Sequence, residues 1–311
     1  MNLQQLEYLV AVDTWRHFST AAEKCHVTQP TLSMMIQKFE LELDVKIFDR
    51  SKQPVVTTAI GQKIIEQART ILNETAVLKK IVVEQKGEIA GELRIGIIPT
   101  LAPYLLPLFL NKFLLKYPDL KLKIVELTTD QIIQELEAQR LDAGILATPL
   151  KRPSLKESPL FYEQFVVYAS PNENVMKKKY LLADDIDVNH LWLLEEGHCL
   201  RSQVVNLCEL KRKETLMHNL DYEAGSIETL KKMVDVNTGI TILPELALRD
   251  LTKAQEKNLR YFKPPAPVRE ISLVTYRYFV KYNLIEALRK EILSKIPDKM
   301  RDAHRKEIAA M

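Results

Sequence analysis

The stretch FSTAAEKCHVTQPTLS, residues 18–33, predicts two short helices joined by a tight turn. The first of these helices is expected to begin near Ser19, because Thr20-Ala-Ala-Glu23 has the form of a capping box. The second is expected to begin after Thr28, with Pro30 tolerated in its first turn. It carries one apolar stripe at helical spacing, made of Leu32, Met35, Ile36, Phe39 and Leu43.

The opposite face of this second helix is polar and presents short side chains. Hydroxyl and amide groups near a helix N-terminus can reach the phosphates and base edges of a DNA major groove without clashing. We therefore expect DNA contacts from Gln29, Pro30, Thr31, Ser33, Gln37 and Lys38. The alternative is a solvated polar face on a small helical bundle.

The flanking residues favour DNA binding. Leu3, Leu6, Leu9 and Val10 predict a preceding helix. Residues 47–50 and 55–58 flank a Ser-Lys-Gln-Pro turn and predict a small hairpin, whose Arg50 and Lys52 would reach the DNA backbone. The order of helices, hairpin and long helix makes DNA binding the preferred interpretation.

A long helix is predicted from Ala59 to about Gln85, since no proline interrupts it, and it would measure about 40 Å. Its apolar seam is narrow and consists of Ile64, Ile71, Leu78 and Val82. A narrow seam on a long helix favours pairing with a second copy, and a surface helix of one large domain is the alternative. Gly87 and Gly91 mark a linker.

Residues 92–311 alternate strand and helix patterns. Strands are expected at 93–98, 122–127, 143–147, 165–169, 191–194 and 271–276, with helices from about 101, at 131–141, at 226–236 and at 284–296. Such alternation favours parallel βαβ units with ligands at the carboxyl ends of the strands. We expect three parts: a DNA-binding domain at 1–58, a linker helix at 59–87 and an effector domain at 88–311.

Composition excludes several classes of protein. The chain has 311 residues, a net charge of +3 and 46% hydrophobic residues, so a disordered chain is excluded. No apolar run is long enough for a membrane span, and the N-terminus lacks the pattern of a secretory signal, so we expect a cytoplasmic protein without membrane contact. Residues 1–90 carry eleven basic and eleven acidic side chains, so DNA binding must rest on local placement of charge.

The segment Glu196-Gly-His-Cys-Leu-Arg, followed by Cys208, carries the candidate chemistry. Leu200, Val204, Val205 and Cys208 share a helical face, which places Cys199 at a helix N-terminus beside His198 and near Arg201. A helix dipole and cationic neighbours stabilise a thiolate, the reactive form. Nine helical residues span roughly 13 Å, whereas a disulfide needs Cα atoms about 4.4–6.8 Å apart. Disulfide formation would therefore require local unfolding, which makes the segment a candidate switch.

Other roles are open for the three cysteines. Both Cys199 and Cys208 could be inert core residues, although the polar neighbours of Cys199 fit this poorly. A metal site is a weaker alternative because no regular Cys/His spacing is present, and we expect no metal and no cofactor. Cys25, on the helix-turn-helix, is expected to be a small core residue.

The first 85 residues, and the motifs at 18–22 and 28–33 above all, closely resemble the N-terminal region of LysR-type transcriptional regulators. The resemblance implies a winged helix-turn-helix, a dimerising linker helix and a two-subdomain α/β effector domain like periplasmic binding proteins. It further implies a homo-oligomer, usually a dimer of dimers, that binds double-stranded promoter DNA and recruits RNA polymerase.

Gly-His-Cys199-Leu-Arg, with Cys208 nine residues later, resembles the sensing segment of the peroxide-responsive OxyR group of this family. The resemblance to this group runs through most of the chain and includes residues 6–10, 25–33, 96–100, 103–107, 226–230 and 239–244. The resemblance implies that peroxide oxidises Cys199 to a sulfenic acid and that Cys208 closes a disulfide. It also implies a peroxide pocket formed by Thr100, Thr129, His198, His218 and Arg269.

Simpler roles exist for some of these residues. Thr100 and Thr129 could cap the helices that follow them, and His218 could be a hydrogen-bonded strand residue.

We expect a regulator that senses hydrogen peroxide and controls oxidative-stress genes. The alternatives are a LysR-type regulator that binds a small metabolite in the same cleft and a cysteine-based enzyme such as a thiol peroxidase.

Overall fold

A computed structural model describes residues 1–84, 90–208, 224–277, 279, 281–302 and 307–308. The chain divides into two compact units, Met1–Glu88 with Tyr278–Val280, and Ile89–Arg277 with Lys281–Met311. Among the described residues, no helix has both the length and the apolar character that a membrane span requires.

The first unit is a small helical bundle with a two-stranded wing. Its elements are α1 (Leu3–Trp15), α2 (Phe18–Lys24), α3 (Gln29–Leu43), β1 (Phe48–Asp49), β2 (Val56–Thr57) and α4 (Ala59–Glu84). The strands β1 and β2 pair antiparallel, as the hairpin prediction requires. The predicted order of helix, turn, helix, hairpin and long helix is confirmed.

Capping explains where these helices begin. Thr28 caps α3 by accepting a hydrogen bond from the Thr31 backbone N–H, and Pro30 lies in the first turn as predicted. The capping box predicted at Thr20–Glu23 is wrong. The helix α2 begins earlier, at Phe18, and its N-cap His17 makes no side-chain capping bond, so Thr20 already lies inside the helix.

The core of the first unit is formed where α1, α2 and α3 meet. Leu32, Ile36 and Phe39 of the predicted stripe are fully buried and Met35 is partly buried. Leu43 is 43% exposed, so its assignment to the stripe is wrong. It lies at the end of α3, where the chain turns away through the left-handed residue Asp44.

Glu40 joins α3 to the wing. Its buried carboxylate accepts hydrogen bonds from the backbone N–H groups of Ile47, at 2.7 Å, and Phe48, at 3.2 Å. The Arg50 guanidinium lies 3.1 Å from the same carboxylate. These contacts satisfy a charge that would otherwise be costly to bury, and they attach the wing to α3.

The long helix α4 contributes its first half to this core. Ile65 and Ala68 are buried, and Ile64 and Ile71 pack at the edge of the same cluster. Part of the predicted seam is therefore occupied within one copy of the chain. The side chains of Leu78 and Val82, which complete that seam, lie outside the described residues.

The second unit is an α/β domain. Its helices are α5 (Ala102–Lys116), α6 (Thr129–Glu137), α7 (Cys199–Leu207), α8 (Ile227–Val236), α9 (Lys253–Glu256), α10 (Tyr282–Lys295) and α11 (Asp298–Arg301). Its strands are β3 (Gly91–Ile97), β4 (Leu120–Glu126), β5 (Ala143–Thr148), β6 (Leu155–Ala169), β7 (Tyr180–Leu181), β8 (Ile240–Pro244), β9 (Leu259–Phe262), β10 (Pro267–Tyr276) and β11 (Glu307–Ile308).

The sheet of this unit runs in the order β4-β3-β5-β10-β6-β9-β7. The strand β3 is parallel to β4 and β5, as the alternating pattern predicts, whereas β10 is antiparallel to β5 and β6. The first part of β6 pairs with β10 and its last part pairs with β8 and β9. The long strand β6 therefore connects the part of the sheet that contains β10 with the part that contains β8 and β9.

The strand predicted at residues 191–194 is wrong. Leu191 forms an isolated bridge to Ile240, and Leu194 forms another to Ala224. The segment bonds to two different partners within four residues, so no continuous ladder develops along it.

One edge of the sheet collects the candidate site. The chain leaves β3 toward Thr100 and leaves β4 toward Thr128 and Thr129. The strand β5 ends at Thr148, before a cis bond to Pro149. Because β3, β4 and β5 are parallel, their carboxyl ends meet at one edge, which is where ligands bind in α/β folds.

Candidate functional site

Cys199 is the first residue of α7, and Cys208 is the C-cap at the other end of the same helix. Gly197 has φ of 94°, a conformation that favours glycine, and it turns the chain into the helix. Both thiols are free. Across this helix the two Cα atoms are roughly 13 Å apart, which is beyond disulfide reach.

Cys199 is a buried thiol, 9% exposed. Burial raises its pKa, and this effect outweighs the positive charge of Arg269, the Thr129 hydroxyl and the backbone amides of Leu200 and Ala147, which all lower it. The expectation of a thiolate stabilised at rest by the helix N-terminus therefore needs correction. Desolvation dominates here, and the thiol is the favoured form.

The cation that acts on Cys199 is not the one expected. The Arg201 guanidinium donates a hydrogen bond of 2.6 Å to the Leu194 carbonyl, which directs it along the neighbouring segment. Arg269, from β10, supplies the charge that lowers the Cys199 pKa. Cys208 is half-buried, and burial raises its pKa to about 11.

Arg269 is fully buried and held from two sides. Its Nη1 donates to the Thr100 hydroxyl at 3.1 Å, and its Nη2 donates to the Thr100 carbonyl at 3.3 Å. On the other side its Nε donates to Glu163 Oε2 at 2.7 Å. Thr100 is therefore a hydrogen-bond partner of the guanidinium and does not cap α5, whose N-cap is Leu101.

Glu163 is the residue of this site that sequence reasoning missed. It is 0% exposed, and its second oxygen accepts a hydrogen bond of 3.0 Å from the Leu246 backbone N–H. A lone acid within the largely apolar residues 161–169 was the available signal. Such an acid needs a buried cation, but the sequence does not indicate which one.

Thr129 is also free of a capping role. The capping residue of α6 is Thr128, which accepts from the Gln131 backbone N–H, so Thr129 is the first helical residue. Its buried hydroxyl makes no hydrogen bond of standard geometry with any described residue. It nevertheless lies close enough to Cys199 to lower the pKa of that thiol. This hydroxyl is available to a small polar ligand.

A cleft of about 450 Å³ opens beside Cys199. Its lining includes Thr129, His198 and Cys199, together with Ser202 and residues that follow β5. His198 is buried, and its Nε2 lies 3.5 Å from Glu195 Oε1. The described part of the chain contains no group of three or more His, Cys, Asp or Glu side chains placed to hold a metal ion.

The predicted pocket residues thus fall into two layers. Thr129, His198 and Cys199 line the cleft, whereas Thr100 and Arg269 lie behind it in the buried ion-pair cluster. The pairing of Arg269 with Glu163 draws its guanidinium into the sheet, and its contribution to a peroxide pocket stays a prediction. His218 lies outside the described residues.

The candidate DNA-binding side chains lie on α3 and on the wing. Most of them are exposed to solvent: Gln29, Pro30, Thr31, Gln37, Lys38, Arg50 and Lys52. Ser33 is half-buried, and its hydroxyl accepts a hydrogen bond of 2.9 Å from Arg50. Arg50 also lies 4.8 Å from the Phe18 ring centroid, so it connects the wing to both helices of the motif.

Cys25 lies at the edge of the first unit's core and is half-buried. Burial and the nearby Glu7 carboxylate raise its pKa. This environment suits the core role that the sequence predicts.

Comparison with known proteins identifies both units. Residues 3–62 match the bacterial regulatory helix-turn-helix protein, lysR family, and residues 86–295 match the LysR substrate binding domain. The chain belongs to the LysR family. A LysR-family member with these two domains is a transcriptional regulator and not an enzyme, which removes the thiol peroxidase alternative.

Within the LysR family, the similar proteins include members of the OxyR group. The hydrogen peroxide-inducible genes activator of Haemophilus influenzae is 37% identical over 276 residues, which cover 88% of this chain and 90% of that protein. A full-length OxyR variant from Pseudomonas aeruginosa is 32% identical, with a TM-score of 0.77 over 95% of this chain and 99% of that one. A peroxide-bound OxyR mutant from Corynebacterium glutamicum is 28% identical, with a TM-score of 0.59 over 94% and 92%. The LysR-type fold expected from the sequence, a helix-turn-helix followed by an α/β effector domain like periplasmic binding proteins, is confirmed.

Proposed function

We propose that this LysR-family regulator senses hydrogen peroxide by reversible formation of a Cys199–Cys208 disulfide and controls oxidative-stress genes. One observation carries the proposal. A buried thiol lies at the start of α7, beside a polar cleft, and a second free thiol lies at the far end of the same helix.

The chemistry takes two steps. The deprotonated sulfur of Cys199 attacks one peroxide oxygen, an S–O bond forms as the O–O bond breaks, and the departing hydroxide takes up the thiol proton as water. The Cys208 sulfur then attacks the Cys199 sulfur. An S–S bond forms, the S–O bond breaks, and the hydroxyl leaves with the Cys208 proton as a second water. The two thiols lose two electrons in total, which reduce the peroxide to two waters.

The surrounding side chains support the first step. Arg269 and the Thr129 hydroxyl both favour the thiolate against the burial that disfavours it. Thr129 and His198 line the cleft, where they can hydrogen-bond the two peroxide oxygens. Thr100 acts from behind the cleft by holding the Arg269 guanidinium. The resemblance assigns His218 to the same pocket.

Disulfide formation converts this chemistry into a structural signal. The two cysteines are at opposite ends of α7, so they can bond only after the helix unwinds. We propose that this rearrangement changes a contact between effector domains and reaches the DNA-binding domains through α4. The regulator would work as a dimer of dimers in the cytoplasm, with the exposed face of α3 and the wing on promoter DNA and with RNA polymerase as a partner.

The test is mass spectrometry of the full-length protein before and after a peroxide pulse. We expect the loss of two hydrogens within the peptide or peptide pair that contains Cys199 and Cys208, together with altered promoter protection. Cys199→Ser should abolish both changes, and Cys25→Ser should abolish neither. A peroxide-dependent change in promoter protection that persists in Cys199→Ser would refute the proposal.

A second candidate is a regulator that binds a small metabolite. The observation in its favour is the cleft of about 450 Å³, which lies in the size range of small-molecule sites and far exceeds one peroxide molecule. Such a regulator would respond to its ligand in a Cys199→Ser/Cys208→Ser variant. A peroxide sensor would not respond to peroxide in that variant.

A further inference from the structure

The ion pair behind the cleft is built from two opposite strand positions. Glu163 of β6 and Arg269 of β10 are direct partners in the antiparallel ladder, and both are 0% exposed. One carboxylate oxygen of Glu163 accepts a hydrogen bond of 2.7 Å from Arg269 Nε, and the other accepts one of 3.0 Å from the Leu246 backbone N–H. The carboxylate is thus anchored independently of Arg269.

The guanidinium is shared between this carboxylate and Thr100. Glu163 Oε2 lies 2.7 Å from both Nε and Nη2, while Nη1 and Nη2 donate to the hydroxyl and carbonyl of Thr100. Its charge also acts on the Cys199 thiol. A buried cation needs a compensating anion, and within this cluster two groups can supply one: the Glu163 carboxylate and a Cys199 thiolate.

We propose that Glu163 is a positioning residue that sets the peroxide sensitivity of the sensor, because its carboxylate fixes Arg269 and balances part of the positive charge that stabilises the Cys199 thiolate. The inference rests on the proposed function of Cys199. It deepens that function, because it assigns the peroxide sensitivity of the reduced sensor to a residue that does not line the cleft.

Other charged groups surround the thiol at greater exposure. Asp130 of α6 and Lys151 and Arg152 after β5 line the cleft but are exposed, so water screens them. His198 precedes Cys199 and faces the half-exposed Glu195. Glu270 follows Arg269 on the opposite face of β10 and accepts a hydrogen bond from Thr148. Among the charged groups, Arg269 has the largest effect on the Cys199 pKa.

A purely structural role makes a different prediction. If the ion pair only holds β6 to β10, then loss of the Glu163 charge lowers stability and leaves the reactivity of Cys199 unchanged. If Glu163 balances Arg269, the same loss makes Cys199 more nucleophilic at neutral pH. The two roles therefore separate when the titration of the thiol is measured directly.

The experiment measures the pH dependence of iodoacetamide alkylation at Cys199 in the full-length protein with Cys25→Ser and Cys208→Ser. In Glu163→Gln, which removes the charge at nearly constant volume, we expect the rate at pH 7 to rise about tenfold, which corresponds to about one pKa unit. In Glu163→Asp, which retracts the carboxylate from Nε, we expect a smaller rise, about two- to threefold.

Asp142→Asn is the matched control. It removes a half-buried carboxylate of the same unit that pairs with Arg94 and Lys281, away from the Glu163–Arg269 pair, so alkylation should stay at the parent rate. Thermal unfolding reports whether each variant folds, and Glu163→Asp decides the question if Glu163→Gln does not fold. An unchanged or lower alkylation rate in the folded Glu163 variants overturns the inference. Because alkylation needs no peroxide, this outcome is distinct from a failure of peroxide sensing in the Cys199→Ser test.

Discussion

Gln203 lies on α7 between the two cysteines, and its amide is buried without a hydrogen-bond partner among the described residues. The side chain is 0% exposed, and neither its Nε2 nor its Oε1 makes a hydrogen bond within the described structure. A buried polar group left unsatisfied costs about 1–3 kcal/mol. This cost falls on the reduced protein, where α7 is intact, and it is relieved when the helix unwinds and the amide reaches water.

We therefore expect Gln203→Met to stabilise the reduced state by about 1–3 kcal/mol, because methionine has a similar length and no amide to desolvate. For a two-electron couple about 30 mV corresponds to 1.4 kcal/mol, so the midpoint potential of the Cys199–Cys208 couple should rise by about 20–65 mV. The sign follows from the linkage. Stabilising the reduced form makes the disulfide easier to reduce, which raises the midpoint potential.

The assay is equilibration of the full-length protein in dithiothreitol redox buffers, with the disulfide fraction read by thiol alkylation and mass spectrometry. Thermal unfolding of the reduced protein should show a higher Tm for the same variant. Gln134→Met is the control, since Gln134 is an exposed glutamine on α6 and its replacement should leave the potential unchanged. A potential that stays constant or falls in Gln203→Met would refute the argument that the buried amide destabilises α7.

Three further outcomes follow from the site and from α3. The rate of Cys199 oxidation by peroxide should rise with pH by up to about tenfold per pH unit between pH 6.5 and 8.5. Burial raises the pKa of this thiol, so higher pH increases the thiolate fraction. Stopped-flow measures the rate, and a plateau below pH 7 would contradict this expectation. Thr129→Val should slow that oxidation about three- to tenfold with little change in Tm, because the lost hydroxyl favours the thiolate but makes no hydrogen bond of standard geometry with a described residue. Thr31→Ala should weaken specific operator binding by about 1 kcal/mol or more in a gel shift, while alkylation should show unaltered thiol oxidation. If the variant binds the operator as tightly as the parent protein does, base contacts by α3 are refuted.

The local elements were predictable wherever short-range chemistry decides them. Thr28 followed by Pro30 marks the start of α3, and Leu32, Ile36 and Phe39 mark its buried face, because capping and helical periodicity act within a few residues. The same local logic failed at Thr20 and at residues 191–194. The helix α2 begins at Phe18 without a side-chain cap, and the bonding partners of Leu191 and Leu194 lie in distant segments of the chain.

The candidate site divides in the same way. The two cysteines at the ends of one helix were predictable, since Leu200 and Val204 share a helical face with Cys208, which places Cys199 at the helix N-terminus. The environment of Cys199 was not. Its neighbours in sequence, His198 and Arg201, suggested a thiolate stabilised by nearby cations, whereas in the fold Arg201 bonds to Leu194 and desolvation governs the pKa.

The amino-acid sequence by itself determined the helix-turn-helix, the long linker helix, the alternating α/β unit and the placement of Cys199 and Cys208 on α7. These features depend on caps, periodicity and spacing along the chain, which are local. Only the tertiary structure decided that Glu163 pairs with Arg269 across two strands, that Thr100 holds the guanidinium and that Gln203 is buried without a partner in the part of the chain that the structure describes. Burial and charge pairing arise between residues far apart in the chain, so their energies become definite only when the sheet brings those residues together.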